Sequence, residues 1–404
     1  MHILMVAPQP FFRPRGTPFS VLHRIRALVM LGHTVELVTY PFGETPTLPG
    51  VQVHRASAPF FVSDVPIGPS LAKVALDVPL FRLASRLART GRFDLLHTHE
   101  EAGWLGARLR HTTGLPHLYD MHSSLPQQLT NFGKFQFRPI VAGFQYLEDY
   151  TLRGSDGVIA ICPELEDHVV ATGFSRPLAM IENTMDFPVE AVTPGAIAAL
   201  RRRLAIGAGP VVVYTGTLEA YQGLDLLLAA GPAVRAQLPG VTFVLVGGTT
   251  EQGEAVVRTA TSIGVADSVR MVSSVPPNEV ATYHQLADAL VTTRARGTNT
   301  PLKLYQYLRA GRPIIATDIR SHTQVLDATV AELVAPDAAS IAAGLIRVLG
   351  DPERAVRLST SAARLARERY SEEIYLARLE KLLAQLPRAH RDRDVSAGTG
   401  PGTR

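Results

Sequence analysis

Short, unbroken apolar runs alternate along this chain with longer stretches whose apolar residues recur at helical spacing. Ile3–Ala7 is apolar throughout, as expected of a strand covered on both faces of a sheet. A helix is predicted from about Pro18 to Leu31, with Phe19, Leu22, Ile25 and Leu28 on one face, stopping at Gly32-His33. Val35–Thr39 reads as the next strand, so the chain opens on a β-loop-α-β unit of a doubly wound parallel sheet. Leu95-Leu96 leading into His97, Pro116–Tyr119 into Asp120, and Gly157–Ile161 continue the pattern.

The rhythm breaks around Asn183–Pro210 and restarts. Val211–Tyr214, Phe243–Val246, Val269–Val272, Leu290-Val291, Pro313–Thr317 and Ala331–Val334 read as a second set of strands. Residues 1–187 and 188–370 are therefore expected to form two Rossmann-like α/β domains facing across a cleft, with ligands at the carboxyl ends of the strands. A helix at 371–386, striped with Ile374, Leu376, Leu379, Leu382 and Leu383, is expected to pack back on the first domain. The polar, glycine-rich residues 387–404 are expected to be disordered.

Composition narrows the function. The 404 residues are 46% hydrophobic and 19% charged, with 40 Lys+Arg against 36 Asp+Glu. That mild positive balance does not call for nucleic acid, but it suits a phosphorylated ligand. The single cysteine, Cys162, excludes an intramolecular disulfide framework. No secretory leader and no run long enough to span a membrane is seen, so the protein is expected to be cytoplasmic.

The most informative segment is Arg294 to Asp318, RARGTNTPLKLYQYLRAGRPIIATD. Thr300 is predicted to cap a helix that begins at Pro301 and ends before Gly311. The preceding turn, Gly297, Thr298, Asn299 and Thr300, then offers backbone N–H groups at a positive helix end, with Arg294, Arg296 and Lys303 around it. That combination suits an anion, above all a phosphate. A capped surface helix with a solvated basic rim has the same sequence.

The order of motifs resembles the retaining GT-B glycosyltransferases of glycosyltransferase family 4. The matches are Gly16 in the first loop, Gly32-His33, DLLHTH (Asp94–His99), DMH (Asp120–His122), IENTMD (Ile181–Asp186), GTLEAYQGLD (Gly216–Asp225) and the segment ending GRPIIAT. The resemblance implies transfer of a sugar from a nucleotide-sugar donor to a glycan, lipid-linked or small-molecule acceptor. The nucleotide-sugar is a substrate; no cofactor and no metal is implied. Gly16, Gly216, Thr217, Gln222, Arg294, Arg296, Gly297, Thr298, Asn299, Thr300, Lys303 and Gln306 would bind the donor. His122 matches the family histidine beside the donor sugar and is the catalytic candidate.

Some positions depart from the family. Thr298 and Gln306 stand where the family has two glutamates, and Thr217 and Gln222 where it often has an Arg and a Lys on the donor pyrophosphate. Gln306 still suits ribose hydroxyls, and Arg294, Arg296 and Lys303 would supply phosphate charge from another side. The departures also fit a catalytically idle binding module on the same fold; a nucleotide-sugar 2-epimerase is a further alternative. His97 and His99 alternate on one strand, but no third ligand stands at suitable spacing, so no metal site is expected.

Residues 1–92 hold ten Lys/Arg against four Asp/Glu. Within them, Ser70–Arg92 reads as a basic amphipathic helix kinked near Pro79, with Arg82, Arg86 and Arg89 opposite Leu80, Leu83 and Leu87. This pattern fits peripheral contact with an anionic membrane, and equally an ordinary packing helix. Arg13 and Arg15 are assigned to the same acceptor or membrane side. The aromatic and basic stretch Asn131–Tyr146 is a second candidate for framing the acceptor.

Overall fold

The computed structural model describes residues 1–13, 16–45, 47–65, 70–124, 126, 138–184 and 191–389. The first sheet contains β1 (His2–Ala7), β2 (Thr34–Thr39), β3 (Val51–Arg55), β4 (Leu95–His99), β5 (His117–Met121), β6 (Gly157–Ala160) and β7 (Leu178–Met180). Its order is β3-β2-β1-β4-β5-β6-β7, all parallel. The second contains β8 (Val211–Thr215), β9 (Thr242–Val246), β10 (Val269–Val272), β11 (Ala289–Thr292), β12 (Ile314–Thr317) and β13 (Glu332–Val334). Its order is β10-β9-β8-β11-β12-β13, again parallel. This is the two-domain α/β GT-B architecture. The strand order reverses between β1 and β4 and again between β8 and β11, so each sheet has a crevice there at its carboxyl end.

β1 shows why its sequence is apolar throughout. Successive side chains point to opposite faces. Ile3, Met5 and Ala7 pack with Val21, Ile25 and Leu28 of helix Gly16–Met30, while Leu4 and Val6 pack with Leu76 and Leu80 of helix Leu71–Ala88. All five are fully buried, each stabilising the fold by roughly 1.5–3 kcal/mol for the larger side chains. The edge strands β3 and β7 escaped the sequence reading because they are short and only half-buried.

The helix expected at 371–386 spans Glu372–Gln385, with Ser371 accepting from the Ile374 N–H. Tyr375, Leu379, Leu382, Leu383 and Leu386 join the cluster built on Ile3 and Met5, so this helix packs on the first sheet. Residues 390–404 of the expected tail lie outside the described residues, as do 131–137 of the acceptor-framing stretch.

Polar contacts tie the two sheets together. The Gln324 side chain accepts from the backbone N–H of Glu164 (2.9 Å) and donates to the Thr298 carbonyl (2.5 Å). Arg320 pairs with Glu164 (3.2 Å) and Arg309 donates to the Thr184 carbonyl. Within the first half, Arg378 of the last helix pairs with Glu182.

Candidate active site

A cleft of about 1290 Å³ separates the carboxyl ends of the two sheets. Gly16, His122, Gly216, Thr217, Gln222, Arg294, Arg296, Gly297, Thr298, Asn299, Thr300, Lys303 and Gln306 all line it. Of the acceptor-side arginines, Arg13, Arg82 and Arg86 do not. Arg13 pairs with Asp64 at 2.5 Å, Arg82 and Arg86 are exposed on helix Leu71–Ala88, and Arg15 lies outside the described residues.

Lys303 is not on a solvated rim. It is buried at the first turn of helix Lys303–Ala310, with Nζ 3.7 Å from the centroid of the Tyr214 ring and 3.4 Å from Gln222 Oε1. Gln222 stands at the position of the family lysine, so this cation reaches the same place from another element. A Cβ on Gly216 would lie 2.8 Å from Lys303 Nζ, and Gly216 itself adopts φ +138°. Gly297 does the same for Arg294: a Cβ there would lie 2.5 Å from Arg294 Nη2. The Arg294 guanidinium stacks over Tyr221 at 5.1 Å and donates to the carbonyls of Arg296 (2.9 Å) and Asn299 (2.7 Å).

Neither cation pairs with a carboxylate among the described residues. Burial, with Arg294 adding, holds Lys303 well below the ordinary lysine range, and burial lowers Arg294 as well. Two desolvated cations facing a cleft without a counter-charge form a site for an anion.

One expectation is corrected here. Thr300 does not cap the helix, which begins at Lys303 with Leu302 in the cap position and no side-chain cap bond. The reason is a tight turn: the N–H groups of Leu304 and Tyr305 bond three residues back, to Pro301 (3.0 Å) and Leu302 (3.2 Å).

The opposite wall is built at the ends of β4 and β5. His122 follows β5, and its Nε2 lies 2.9 Å from His99 Nδ1 and 3.5 Å from Asp120 Oδ1. Arg24, buried beneath the site, donates to Asp120 at 2.7 Å and lies over the Tyr375 ring. Burial would raise the Asp120 carboxyl, but Arg24, His122 and His97 outweigh it and hold it well below the ordinary carboxylate range. Burial lowers His122 to about 4, with Asp120 opposing and Arg24 adding, so its imidazole is neutral at pH 7. The engagement of Nε2 leaves Nδ1 as the ring nitrogen outside this pair.

The metal reading needs correction on one point. The fold does supply a third group beside His97 and His99: their ligand atoms and those of Asp120 lie within 4.8 Å of one another. Sequence spacing missed it because Asp120 comes from the neighbouring strand, where it registers opposite His99. A guanidinium already stands against this carboxylate, which gives the cluster a resident cation.

Sequence reasoning also missed Glu100, Tyr221 and Arg309, which line the cleft. The glutamate directly after the DLLHTH run was the available signal for Glu100.

Known proteins agree with this geometry. The family described as "Glycosyl transferase 4-like domain" matches residues 15–184, and that described as "Glycosyl transferases group 1" matches residues 209–351. A D-inositol 3-phosphate glycosyltransferase of Thermobispora bispora is 27% identical over 95% of this chain and 93% of its own. A GDP-mannose-dependent alpha-(1-6)-phosphatidylinositol monomannoside mannosyltransferase of Mycolicibacterium smegmatis is 29% identical over 53% of this chain and 58% of its own. Among solved structures, HepE of Anabaena in complex with UDP-glucose superposes with a TM-score of 0.73 at 18% identity, covering 96% of this chain and all of that one. Sucrose-phosphate synthase of Thermosynechococcus elongatus gives 0.78 at 20% identity, covering 95% and 98%. Motif order, two parallel sheets meeting at one cleft, and matches in both halves converge: the chain belongs to the GT-B glycosyltransferases, in the family of glycosyl transferases group 1.

Proposed function

We propose that this glycosyltransferase moves a hexose from a nucleoside diphosphate sugar to a hydroxyl of an inositol-type acceptor, free or lipid-linked, with retention of anomeric configuration and without a metal ion. The observation that carries the reading is the pair of cations on the cleft, buried Lys303 and half-buried Arg294, with no carboxylate partner among the described residues. A donor diphosphate supplies the missing charge. The relatives named for D-inositol 3-phosphate and for phosphatidylinositol monomannoside support the acceptor class.

In this reaction the bond from the anomeric carbon to the diphosphate breaks as the acceptor oxygen attacks from the same face. The acceptor proton passes to the departing phosphate oxygen. Lys303 and Arg294 stabilise charge growing on that leaving group. Neutral His122 hydrogen-bonds the sugar through Nδ1, its ring held by His99.

We include in this proposal a site of work at the cytoplasmic face of a membrane. Among the described residues no helix is long and apolar enough to cross one. Helix Leu71–Ala88 nevertheless exposes Leu71, Val74 and Val78 along with Arg82 and Arg86, and Phe60 and Phe61 are exposed upstream. Apolar side chains beside cations suit an anionic lipid surface.

A calorimetric screen with UDP and GDP, followed by turnover with UDP-glucose and GDP-mannose in the presence of EDTA, tests the reading. Binding and chelator-resistant transfer with a retained anomer are expected. Activity abolished by EDTA and restored by Mg²⁺ or Mn²⁺ would remove the metal-free grip. Binding without turnover would favour the idle module, for which the Thr298 and Gln306 replacements speak.

A further inference from the structure

Glu100 directly follows β4, and its backbone is left-handed, with φ +48°. Residues with a Cβ pay for that conformation, and it persists where surrounding structure enforces it, often at functional sites. A turn needed only for the fold would be better served by Gly or Asn. The Glu100 side chain lines the cleft on the His122 side, next to the loop that opens helix Gly16–Met30. Thr17 Oγ1 donates to Glu100 Oε1 at 2.9 Å; among the described residues it is the only donor to Glu100, and no cation pairs with that carboxylate. One carboxylate oxygen is thus anchored, and the other remains available to the cleft.

We propose that Glu100 is the acceptor-binding carboxylate, accepting a hydrogen bond from a hydroxyl of a polyhydroxylated acceptor and thereby aiming the attacking oxygen at the donor sugar. No bond is made or broken at Glu100. The inference rests on the donor reading above and adds the acceptor half of the cleft to it. The charged groups that face Glu100 are Glu101 on the same turn, Lys73 from helix Leu71–Ala88, and Asp120 from β5. Burial raises its carboxyl to about 7, with Glu101 and Asp120 adding and Lys73 and Thr17 opposing. The accepting form therefore prevails above pH 7 and is lost below it.

The test measures initial rates with UDP-glucose and GDP-mannose as donors and D-inositol 3-phosphate as acceptor. It is paired with calorimetry of the same polyol phosphate on UDP- or GDP-loaded protein. Glu100→Gln is expected to raise the acceptor KM by about tenfold, the effect of one lost hydrogen bond to a charged group, with donor KM unchanged. Acceptor affinity in the wild type is expected to fall between pH 8 and pH 6, and the variant to be flat. Glu100→Asn, which tolerates the left-handed backbone, should repeat the KM effect if Glu100→Gln fails to fold. An unchanged acceptor KM and pH profile in a folded variant overturns the proposal, as does nucleotide-loaded wild type that ignores the polyol. Wild type that binds neither UDP nor GDP instead overturns the donor reading.

Discussion

The side-chain amide of Asn299 donates to the backbone carbonyl of His122 at 2.7 Å. One residue belongs to the turn that carries the cation grip and the other to the opposite wall, so the two halves of the site are fixed to each other by a bond that spans the cleft. A neutral hydrogen bond contributes about 0.5–1.5 kcal/mol. Asn299→Ala is expected to lower kcat/KM by roughly two- to tenfold while leaving UDP or GDP affinity nearly intact. Steady-state kinetics beside calorimetry checks this; equal loss in both would assign Asn299 to nucleotide binding.

Lys303 is costly in the empty protein and favourable in the loaded one. Lys303→Met should raise the melting temperature of ligand-free protein by a few degrees, since about 1 kcal/mol moves Tm by roughly 2–4 °C at this domain size. The same variant should weaken diphosphate binding by about one to two orders of magnitude, with the free nucleoside little affected. Thermal shift and calorimetry with GDP and guanosine, or UDP and uridine, read both signs. A melting temperature that falls with diphosphate affinity unchanged would contradict the anion-site reading.

His122→Ala should cut transfer by ~10²–10⁴-fold, the scale of a positioned catalytic group. The Asn299 bond goes to the His122 backbone, so it survives this change, and nucleoside diphosphate affinity should stay within about twofold of wild type. Single-turnover rates against calorimetry separate the two effects. Wild-type turnover in the variant would make His122 a packing residue.

Acid should destabilise this protein. Burial lowers His23, His117 and His284 to about 3, and His122 and His322 to about 4. Below pH 6.5 the unfolded chain binds protons at these positions that the folded one refuses, so stability falls as pH drops from 6.5 towards 4, each histidine contributing on the order of 1 kcal/mol or more. Asp77 and Glu100, raised by burial to about 7, act in the opposite sense and favour the fold as pH falls. Five groups outweigh two. Denaturant midpoints at pH 7 and pH 4.5 are expected to show the loss, and equal midpoints would refute it.

Vesicle co-sedimentation examines the basic helix. Binding to phosphatidylglycerol vesicles and not to phosphatidylcholine alone is expected, weakening with salt. Each cation near the surface contributes about 1 kcal/mol, so Arg82→Glu with Arg86→Glu should lower partitioning by an order of magnitude or more. Insensitivity to lipid charge would mark the helix as a packing element only.

Much of this was readable along the chain because parallel strands buried on both faces write themselves as apolar runs, as in Ile3–Ala7 and Val211–Tyr214. That Gly297 to Lys303 line the cleft was equally legible, since the stretch is contiguous. What stayed hidden was whatever neighbouring strands or separate elements bring together. Asp120 meets His97 and His99 only through sheet register. Lys303 meets Gln222 only because Gly216 leaves the space for it. The orientation of Lys303 was invisible for the same reason, as periodicity places a residue on a helix but does not say what lies beneath it.

The helix Glu372–Gln385 has a consequence for how the protein is made. The core around Ile3 and Met5 is closed by Tyr375, Leu379 and Leu382, residues that leave the ribosome after all of the second sheet. Until the second sheet has been synthesised, the first sheet therefore has this face covered only in part, by helix Gly16–Met30, and transiently exposed apolar surface of that kind favours aggregation or chaperone engagement. The half that is synthesised first is thus the one completed last, and a chain cut before residue 372 would leave the apolar surface beneath Tyr375, Leu379 and Leu382 open to water.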